Sequence, residues 1–195
     1  MSLNPQDKSA VVRLIPAAGT VPARLARVIE IGIHDTFYGE KDQVILFYSL
    51  PTRLIDNEES DYDGKQHMIR TKPLRKSSSD KATLMEHVRV LNTTATDLDQ
   101  ILDHPCFLTI VHNEVESGDS KATYANINNI VDVPEGLEVG QLDTTKFYFD
   151  FENPDEDIWT QYLWDNIREQ IKSAINYPGS KVEEMVLRLE AMKSD

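Results

Sequence analysis

The chain has 195 residues, 40% of them hydrophobic, and a formal net charge of −13 at pH 7. This length supports one sizeable core with appended helices, and the acidic balance excludes wrapping of nucleic acid by the whole surface. The polar N-terminus predicts no signal peptide, and no apolar run approaches the roughly 20 residues that span a membrane. The single cysteine, Cys106, favours a reducing cytoplasm.

The charges are distributed unevenly along the sequence. Residues 65–81 contain six basic residues and one acid, whereas residues 97–157 contain fifteen acids and two bases. A cationic segment on an anionic body indicates an anionic partner. The alternative is a solvated face that pairs with the neighbouring acidic residues.

The N-terminal part predicts an arm followed by two strands. Residues 1–20 are expected to form a flexible arm. The β-branched run Val21–Ile33 predicts the first strand, in which Gly32 marks a bulge or bend. A second strand, Val44–Leu50, is expected to end at Pro51.

The middle of the chain predicts an edge strand and two short helices. Residues 66–76 fit an edge strand that Pro73 interrupts. The serines at 77–79 offer caps for a helix over about residues 80–91. A second short helix is expected over residues 96–102.

Residues 105–135 carry the strongest β signal, an antiparallel hairpin whose loop contains Gly118. The first arm, residues 106–112, is apolar and is predicted to be a central strand buried on both faces. The second arm alternates, so one face could meet a ligand or could simply be solvated. Its two faces carry Thr123, Ala125, Ile127, Asn129 and Val131 on one side, and Tyr124, Asn126, Asn128 and Ile130 on the other.

The C-terminal part predicts a short aromatic strand over residues 146–151 and then helices. One helix is expected to begin with Asn153 as its N-cap. A second begins with a capping box at Ser180–Glu183 and carries an apolar repeat over residues 182–192. That apolar face can dock on the rest of the chain or form the seam of a homo-oligomer.

This order of elements predicts a mainly β fold with helices. Five antiparallel strands with a helix between the third and fourth are typical of an OB-fold barrel, although other small β-barrels and α+β folds share the order. The predicted organisation is the N-terminal arm, a five-stranded OB-fold barrel over residues 21–152, and a C-terminal helical extension over residues 153–195.

Motifs of catalysis and of metal binding are missing from the sequence. It contains no GxxxxGK, GxGxxG, HExxH or GxSxG pattern. His104 and Cys106 would supply two metal ligands at most. The acids at residues 153–157 suit the N-terminus of a helix. The sequence therefore predicts a protein that is not an enzyme and needs no cofactor or metal.

The basic segment is the remaining functional signal. In an OB barrel, strands two and three bind oligonucleotides, with cations that neutralise phosphates and aromatic rings that stack on bases. The predicted contacts on or near these strands are Arg70, Lys72, Arg75 and Lys76, with Arg27 and Lys41 as weaker candidates. The aromatics proposed for stacking are Tyr48 and Tyr124, although for Tyr48 and Phe47 core packing is favoured over stacking.

Several short sequence segments, taken together and in their order, resemble a family of bacteriophage single-stranded DNA-binding proteins with an OB-fold. They are Ala26–Gly32, Ser79–Ala82, Pro105–Glu114, Tyr124–Ile127 and Val133–Gly136. The resemblance covers about residues 21–178. The chain departs from the family at residues 71–76, in its acidic insertion at 56–63, and in ending without an acidic tail. Residues 147–159 could replace such a tail or form packed structure.

The resemblance implies sequence-independent, non-catalytic binding of single-stranded DNA during phage replication or recombination. The expected setting is the cytoplasm of the infected bacterial host, with phage replication proteins as further partners and no membrane. The alternative is an acidic phage scaffold or virion-associated protein that contacts other proteins through its C-terminal helices.

Overall fold

The computed structural model describes residues 15–117 and 120–192. Residues 1–14 of the predicted arm, together with Gly118 and Asp119 of the predicted hairpin loop, lie outside the described residues. The fold is mainly β, a curled antiparallel sheet with a few helices. Its strands are β1 (Gly19–His34), β2 (Lys41–Leu54), β3 (Gln66–Arg70), β4 (Leu74–Arg75), β5 (Pro105–Ser117), β6 (Ser120–Val131) and β7 (Phe147–Phe149).

The helices are short. They are α1 (Thr83–Leu91), a 3₁₀ turn (Leu98–Ile101), a π-helical turn (Ile158–Tyr162), α2 (Asp165–Lys172) and α3 (Lys181–Met192). None of those in the described part of the chain is long and apolar enough to cross a membrane.

The sheet follows the spatial order β3-β2-β1-β5-β6, and all neighbours on this path are antiparallel. β4 continues the pairing of β2 beyond β3, and β7 pairs with β1 in parallel. The sheet curls so that its two outer strands, β3 and β6, come into contact with each other.

Both faces of β1 and β2 are covered by apolar residues. On β2 the side chains alternate, so Val44, Leu46 and Tyr48 face one core and Ile45 and Phe47 face another. The first core lies inside the curl of the sheet. It also contains Leu25, Leu84, Leu91, Leu108, Ile110 and Ile130.

The second core lies on the outer face of the sheet, beneath the C-terminal helices. Ile29 and Ile31 of β1 are buried there against α2, the π-helical turn and α3. The residues that these helices and the link between the π-helical turn and α2 contribute are Trp159, Leu163, Ile167, Ile171, Val182, Met185 and Val186. The apolar face of α3 is therefore docked within its own chain.

Gly32 allows this docking. It lies at a register shift of β1 with a φ of +83°, as the sequence predicted for a bulge. A Cβ at this position would lie 2.7 Å from the Cβ of Ala174 and 2.8 Å from the ring of Phe151. The close approach lets the Ile175 N–H donate to the Ile33 carbonyl at 2.7 Å.

Two strand predictions are wrong in detail. β2 does not end at Pro51 but continues to Leu54, because a register shift after Leu50 leaves the proline where its missing N–H is not needed. β5 is buried on one face only, since Phe107 and Val111 on its other face are half-buried.

The predicted faces of β6 are also wrong beyond residue 127. Asn129 pairs with Thr109 while Ile127 pairs with Ile110, so Asn128 is an extra residue in the ladder. Such a bulge reverses the alternation. As a result Ile127 and Ile130, predicted on opposite faces, both contact the inner core.

Three helix starts differ from the sequence prediction. α1 begins at Thr83 without a side-chain cap from the preceding serines. The predicted helix over residues 96–102 is only a 3₁₀ turn. At the C-terminal extension Asp155, not Asn153, caps the helix, since its carboxylate accepts the Ile158 N–H at 2.9 Å.

The capping box of α3 is confirmed. The Ser180 hydroxyl accepts the Glu183 N–H at 3.2 Å, and the Glu183 carboxylate accepts the Gly179 N–H at 2.7 Å.

Candidate nucleic-acid interface

A groove of about 440 Å³ lies between residues 70–73 and the β5–β6 hairpin. We call it the hairpin groove. It is lined by Arg70, Thr71, Lys72, Pro73, Asn113, Val115, Tyr124, Ala125 and Asn126. A pocket of about 340 Å³ shares five of these residues and extends the groove towards Asn128 and towards His87 of α1.

The buried residue Thr71 holds the cationic wall of the groove in place. Its N–H donates to the Leu46 carbonyl at 2.9 Å, and its hydroxyl accepts the Leu46 N–H at 3.1 Å. Pro73 then interrupts the pairing before β4 begins. With Thr71 anchored to β2, its neighbours Arg70 and Lys72 are exposed at the groove.

The opposite wall carries an aromatic ring and two amides. Tyr124 is 40% exposed, enough for a face or edge of its ring to contact a ligand. The Asn126 amide donates to the Asn113 side-chain oxygen at 3.2 Å, across the β5–β6 pair. No aspartate or glutamate lines this groove within the described residues. Cations facing an aromatic ring suit a phosphate with an unpaired base.

The structure thus brings together three of the eight predicted site residues, Arg70, Lys72 and Tyr124. Arg75 is exposed but lies beyond Pro73, in an adjoining pocket of about 440 Å³ that also contains Lys81. Lys41 is half-buried at the start of β2, near Arg75 and outside the groove.

The prediction that Lys76 is a free cation for phosphate binding is wrong. Its Nζ lies 2.5 Å from the carboxylate of Glu30, which is 1% exposed and also accepts the Tyr148 hydroxyl at 2.7 Å. Burial lowers the pKa of Lys76, but the hydrogen bond to Glu30 and the charges of Glu30, Asp42 and Asp150 outweigh it, so the pKa is raised overall. The ammonium group therefore neutralises a buried carboxylate.

The prediction that Tyr48 stacks on a base is wrong, because its side chain is fully buried in the inner core. Its hydroxyl lies 2.6 Å from Nδ1 of the buried His87. Burial raises the pKa of Tyr48 well above its usual value and lowers the pKa of His87 to about 4. Both groups are therefore neutral at pH 7. Phe47 is buried too, against Trp164.

Arg27 does not reach the hairpin groove, so its predicted place beside Arg70 in one groove is wrong. It is buried on the outer face of the sheet, with its guanidinium carbon 5.1 Å from the ring centre of Phe147 and 4.7 Å from that of Trp164. Its Nη2 donates to the Thr144 hydroxyl at 3.1 Å. Burial lowers the pKa of Arg27.

The sequence interpretation missed the amide wall of the groove. The alternation of β6 had marked Asn126 and Asn128 as a polar face, and this was a usable signal. Asn113 was not marked, because its contact with Asn126 depends on the register between β5 and β6. Thr71 was missed as an anchor because its partner Leu46 lies 25 residues earlier.

Within residues 15–117 and 120–192, the His, Cys, Asp and Glu side chains form no group of three or more that could hold a metal ion. Comparison with known proteins returns no match, either to a protein-family model or to a curated protein.

Proposed function

We propose that the protein is an OB-fold protein that binds single-stranded DNA in the hairpin groove, without sequence preference and without catalysis. The observation that carries the proposal is the convergence of Arg70 and Lys72 on one wall of the groove with Tyr124 on the other. These residues are separated by about fifty positions in the sequence, and their meeting combines cations for phosphates with a ring for a base.

The topology supports the OB assignment. The path β3-β2-β1-β5-β6, with α1 between β3 and β5, has the connectivity of a five-stranded, partly open Greek-key barrel. In this assignment β4 and β7 are short additions to the barrel. The hairpin groove then lies where β3 and β6 approach each other, at the open side of the barrel.

The charge distribution supports a local site. With a net charge of −13 most of the surface repels DNA, so binding needs a local site, and the described lining of the hairpin groove contains no carboxylate that would repel a phosphate. A single strand fits this chemistry better than a duplex, because stacking on Tyr124 needs an unpaired base. Phosphate contacts and stacking carry little sequence information, so we expect binding without sequence preference.

The sequence resemblance is the basis for the biological setting that we propose. In that setting the protein serves phage DNA replication or recombination in the infected bacterial cell, alongside phage replication proteins. We favour DNA binding over a scaffolding function because Val182, Met185 and Val186 of α3 are buried within the chain.

A double substitution tests the groove. Arg70→Ala with Lys72→Ala removes two phosphate contacts, and this should weaken oligo-dT binding and reduce the slope of log affinity against log salt by about 1.4. Fluorescence anisotropy with a labelled oligo-dT measures both quantities.

The control changes the same two residue types on α3. Lys181→Ala with Arg188→Ala alters the net charge equally and disturbs only exposed contacts with Asn153 and Glu156. The proposal is contradicted if the groove variant and the α3 variant bind oligo-dT with the same affinity and the same salt dependence while circular dichroism shows both folded.

A further inference from the structure

A second cleft, of about 600 Å³, lies on the outer face of the sheet, between the β2–β3 loop and the π-helical turn. We call it the Trp164 cleft. Its walls include Arg27, Tyr62, Lys65, Asp143 and Trp164. Its volume is in the range of small-molecule sites, roughly 300–1,000 Å³, and none of its lining residues belongs to the hairpin groove.

Arg27 gives this cleft a cation without a counter-ion. The residue is 8% exposed, and no carboxylate of the described residues forms an ion pair with its guanidinium. Its Nε is buried without a hydrogen-bond partner. A buried charge that lacks a compensating partner is costly. An anion bound in the cleft would supply the missing compensation.

The rest of the lining also favours an anion. Lys65 adds a second cation. Among the described lining residues Asp143 is the one carboxylate, and its Oδ2 accepts the Gln66 N–H at 2.7 Å. The two cations therefore outnumber the acid.

Two aromatic side chains of the cleft are accessible. Trp164 is 37% exposed although it contacts Arg27 and Phe47, and Tyr62 of the β2–β3 loop is 58% exposed. Exposed rings beside cations can receive a base together with its phosphate.

The Trp164 cleft is continuous with the hairpin groove along β3. Arg70 lines the groove and also a depression of about 300 Å³ that contains Met68 and Trp164. Met68 and Trp164 in turn line the Trp164 cleft. A strand lying in the hairpin groove can therefore follow β3, over Arg70, into the cleft.

We propose that the Trp164 cleft binds one nucleotide of the same DNA strand, with its base against Trp164 and Tyr62 and its phosphate neutralised by Lys65 and Arg27. This inference rests on the proposed function. It assigns to the C-terminal helical extension a direct part in DNA binding, because the π-helical turn and the residues after it form one wall of the cleft.

Tryptophan fluorescence tests the contact directly. The chain has two tryptophans, and Trp159 is buried in the outer core. In the full-length Trp159→Phe variant, Trp164 is the only indole and reports on the cleft. Titration with an oligo-dT of about 16 nucleotides, the upper end of the site size of an OB-fold, should change its emission and saturate together with the anisotropy signal.

A pair of tyrosine variants tests the contribution to affinity. Tyr62→Ala should weaken oligo-dT binding roughly 5- to 150-fold, the loss expected for one stacked base. Tyr38→Ala removes a tyrosine that is even more exposed, at the β1–β2 turn and outside the cleft, and should leave the affinity unchanged. Both side chains lie outside the two cores, so neither change should unfold the protein.

The outcomes separate the inference from the proposed function. If oligo-dT does not bind the native chain, the proposed function fails. If oligo-dT binds through Arg70 and Lys72 but Trp164 emission does not change and Tyr62→Ala matches Tyr38→Ala, only the inference is overturned. A change of emission with dTMP but not with oligo-dT would also overturn it, since the ligand would then be a free nucleotide.

Discussion

Two lysines four positions apart in the basic segment should behave in opposite ways. Lys72 faces the hairpin groove, whereas Lys76 neutralises the buried Glu30. Replacing each lysine by methionine removes the charge and keeps an unbranched stem. We expect Lys76→Met to lower stability with little effect on DNA binding, and Lys72→Met to weaken DNA binding with little effect on stability.

The magnitude follows from the surroundings of Glu30. Removing one partner of a fully buried ion pair costs about 3–5 kcal/mol. Here the loss is smaller, because Lys76 is 36% exposed and Glu30 keeps the Tyr148 hydroxyl and the Phe151 N–H as donors. We expect Lys76→Met to lower the free energy of unfolding by about 2–3 kcal/mol, a decrease in Tm of roughly 5–10 °C for a chain of this size.

The pH dependence of this loss has a definite sign. The folded-state pKa of Lys76 is raised, so the stabilisation is complete below the unfolded-state pKa of about 10.4 and is lost as pH rises through the folded-state value. The difference in stability between Lys76→Met and the native chain should therefore be constant from pH 7 to 9.

Urea denaturation followed by circular dichroism measures the stability, and anisotropy with oligo-dT measures binding. Lys72→Met should change the free energy of unfolding by less than about 0.5 kcal/mol, as is usual at exposed positions. The reasoning is refuted if the two variants are equally stable, or if Lys76→Met weakens binding more than Lys72→Met does.

Three further predictions concern the outer core, the inner core and the groove. Gly32→Ala should lower the free energy of unfolding by roughly 2–4 kcal/mol, because the added Cβ would lie 2.7 Å from Ala174. Gly39→Ala has a similar φ but open space around it, and should lower the free energy of unfolding by only about 1–2 kcal/mol. Equal losses in urea denaturation would rule out the packing argument. The pKa of His87 is lowered to about 4, so the free energy of unfolding should decrease by about 1.4 kcal/mol for each unit that the pH falls from 6.5 to 4. A His87→Gln variant with the same pH profile would contradict this. Tyr124→Ala should weaken oligo-dT binding roughly 5- to 150-fold, the loss expected for one stacked base. Tyr48→Phe should leave the affinity for oligo-dT unchanged and lower the free energy of unfolding by about 1–3 kcal/mol, because it removes the hydroxyl that contacts His87. The reverse pattern would disprove these roles.

The local part of the fold was predictable from the sequence. The β-branched run of β1, the interruption at Pro73 and the capping box of α3 all depend on residues within a few positions of one another. The parallel pairing of β7 with β1 was not predictable in this way, because it joins residues about 120 positions apart.

The burial of side chains on β2 shows why periodicity alone could not predict which residues are buried. Phe47 and Tyr48 are adjacent, and alternation places one of them on each face of the strand. Both are buried, because the C-terminal helices cover the outer face while α1 and β5 enclose the inner one. No pattern within β2 indicates that a segment more than 100 residues later covers its second face.

The same limit applies to the candidate site. Composition correctly marked residues 65–81 as cationic, but it could not distinguish Lys72 from Lys76. That distinction depends on Glu30, which lies 46 positions before Lys76 and is buried next to it. Arg27 was similarly misplaced, because its aromatic neighbours Phe147 and Trp164 lie more than 100 positions away.

The most direct test of the central claim is the salt dependence of oligo-dT binding by the native chain. If the strand lies against Arg70 and Lys72, log affinity should fall linearly with log salt, with a slope of about −1.4 or steeper for the two phosphates. Contacts of Lys65 and Arg27 in the Trp164 cleft would make the slope steeper. Absence of binding at low salt, or binding that does not change with salt, would contradict the claim.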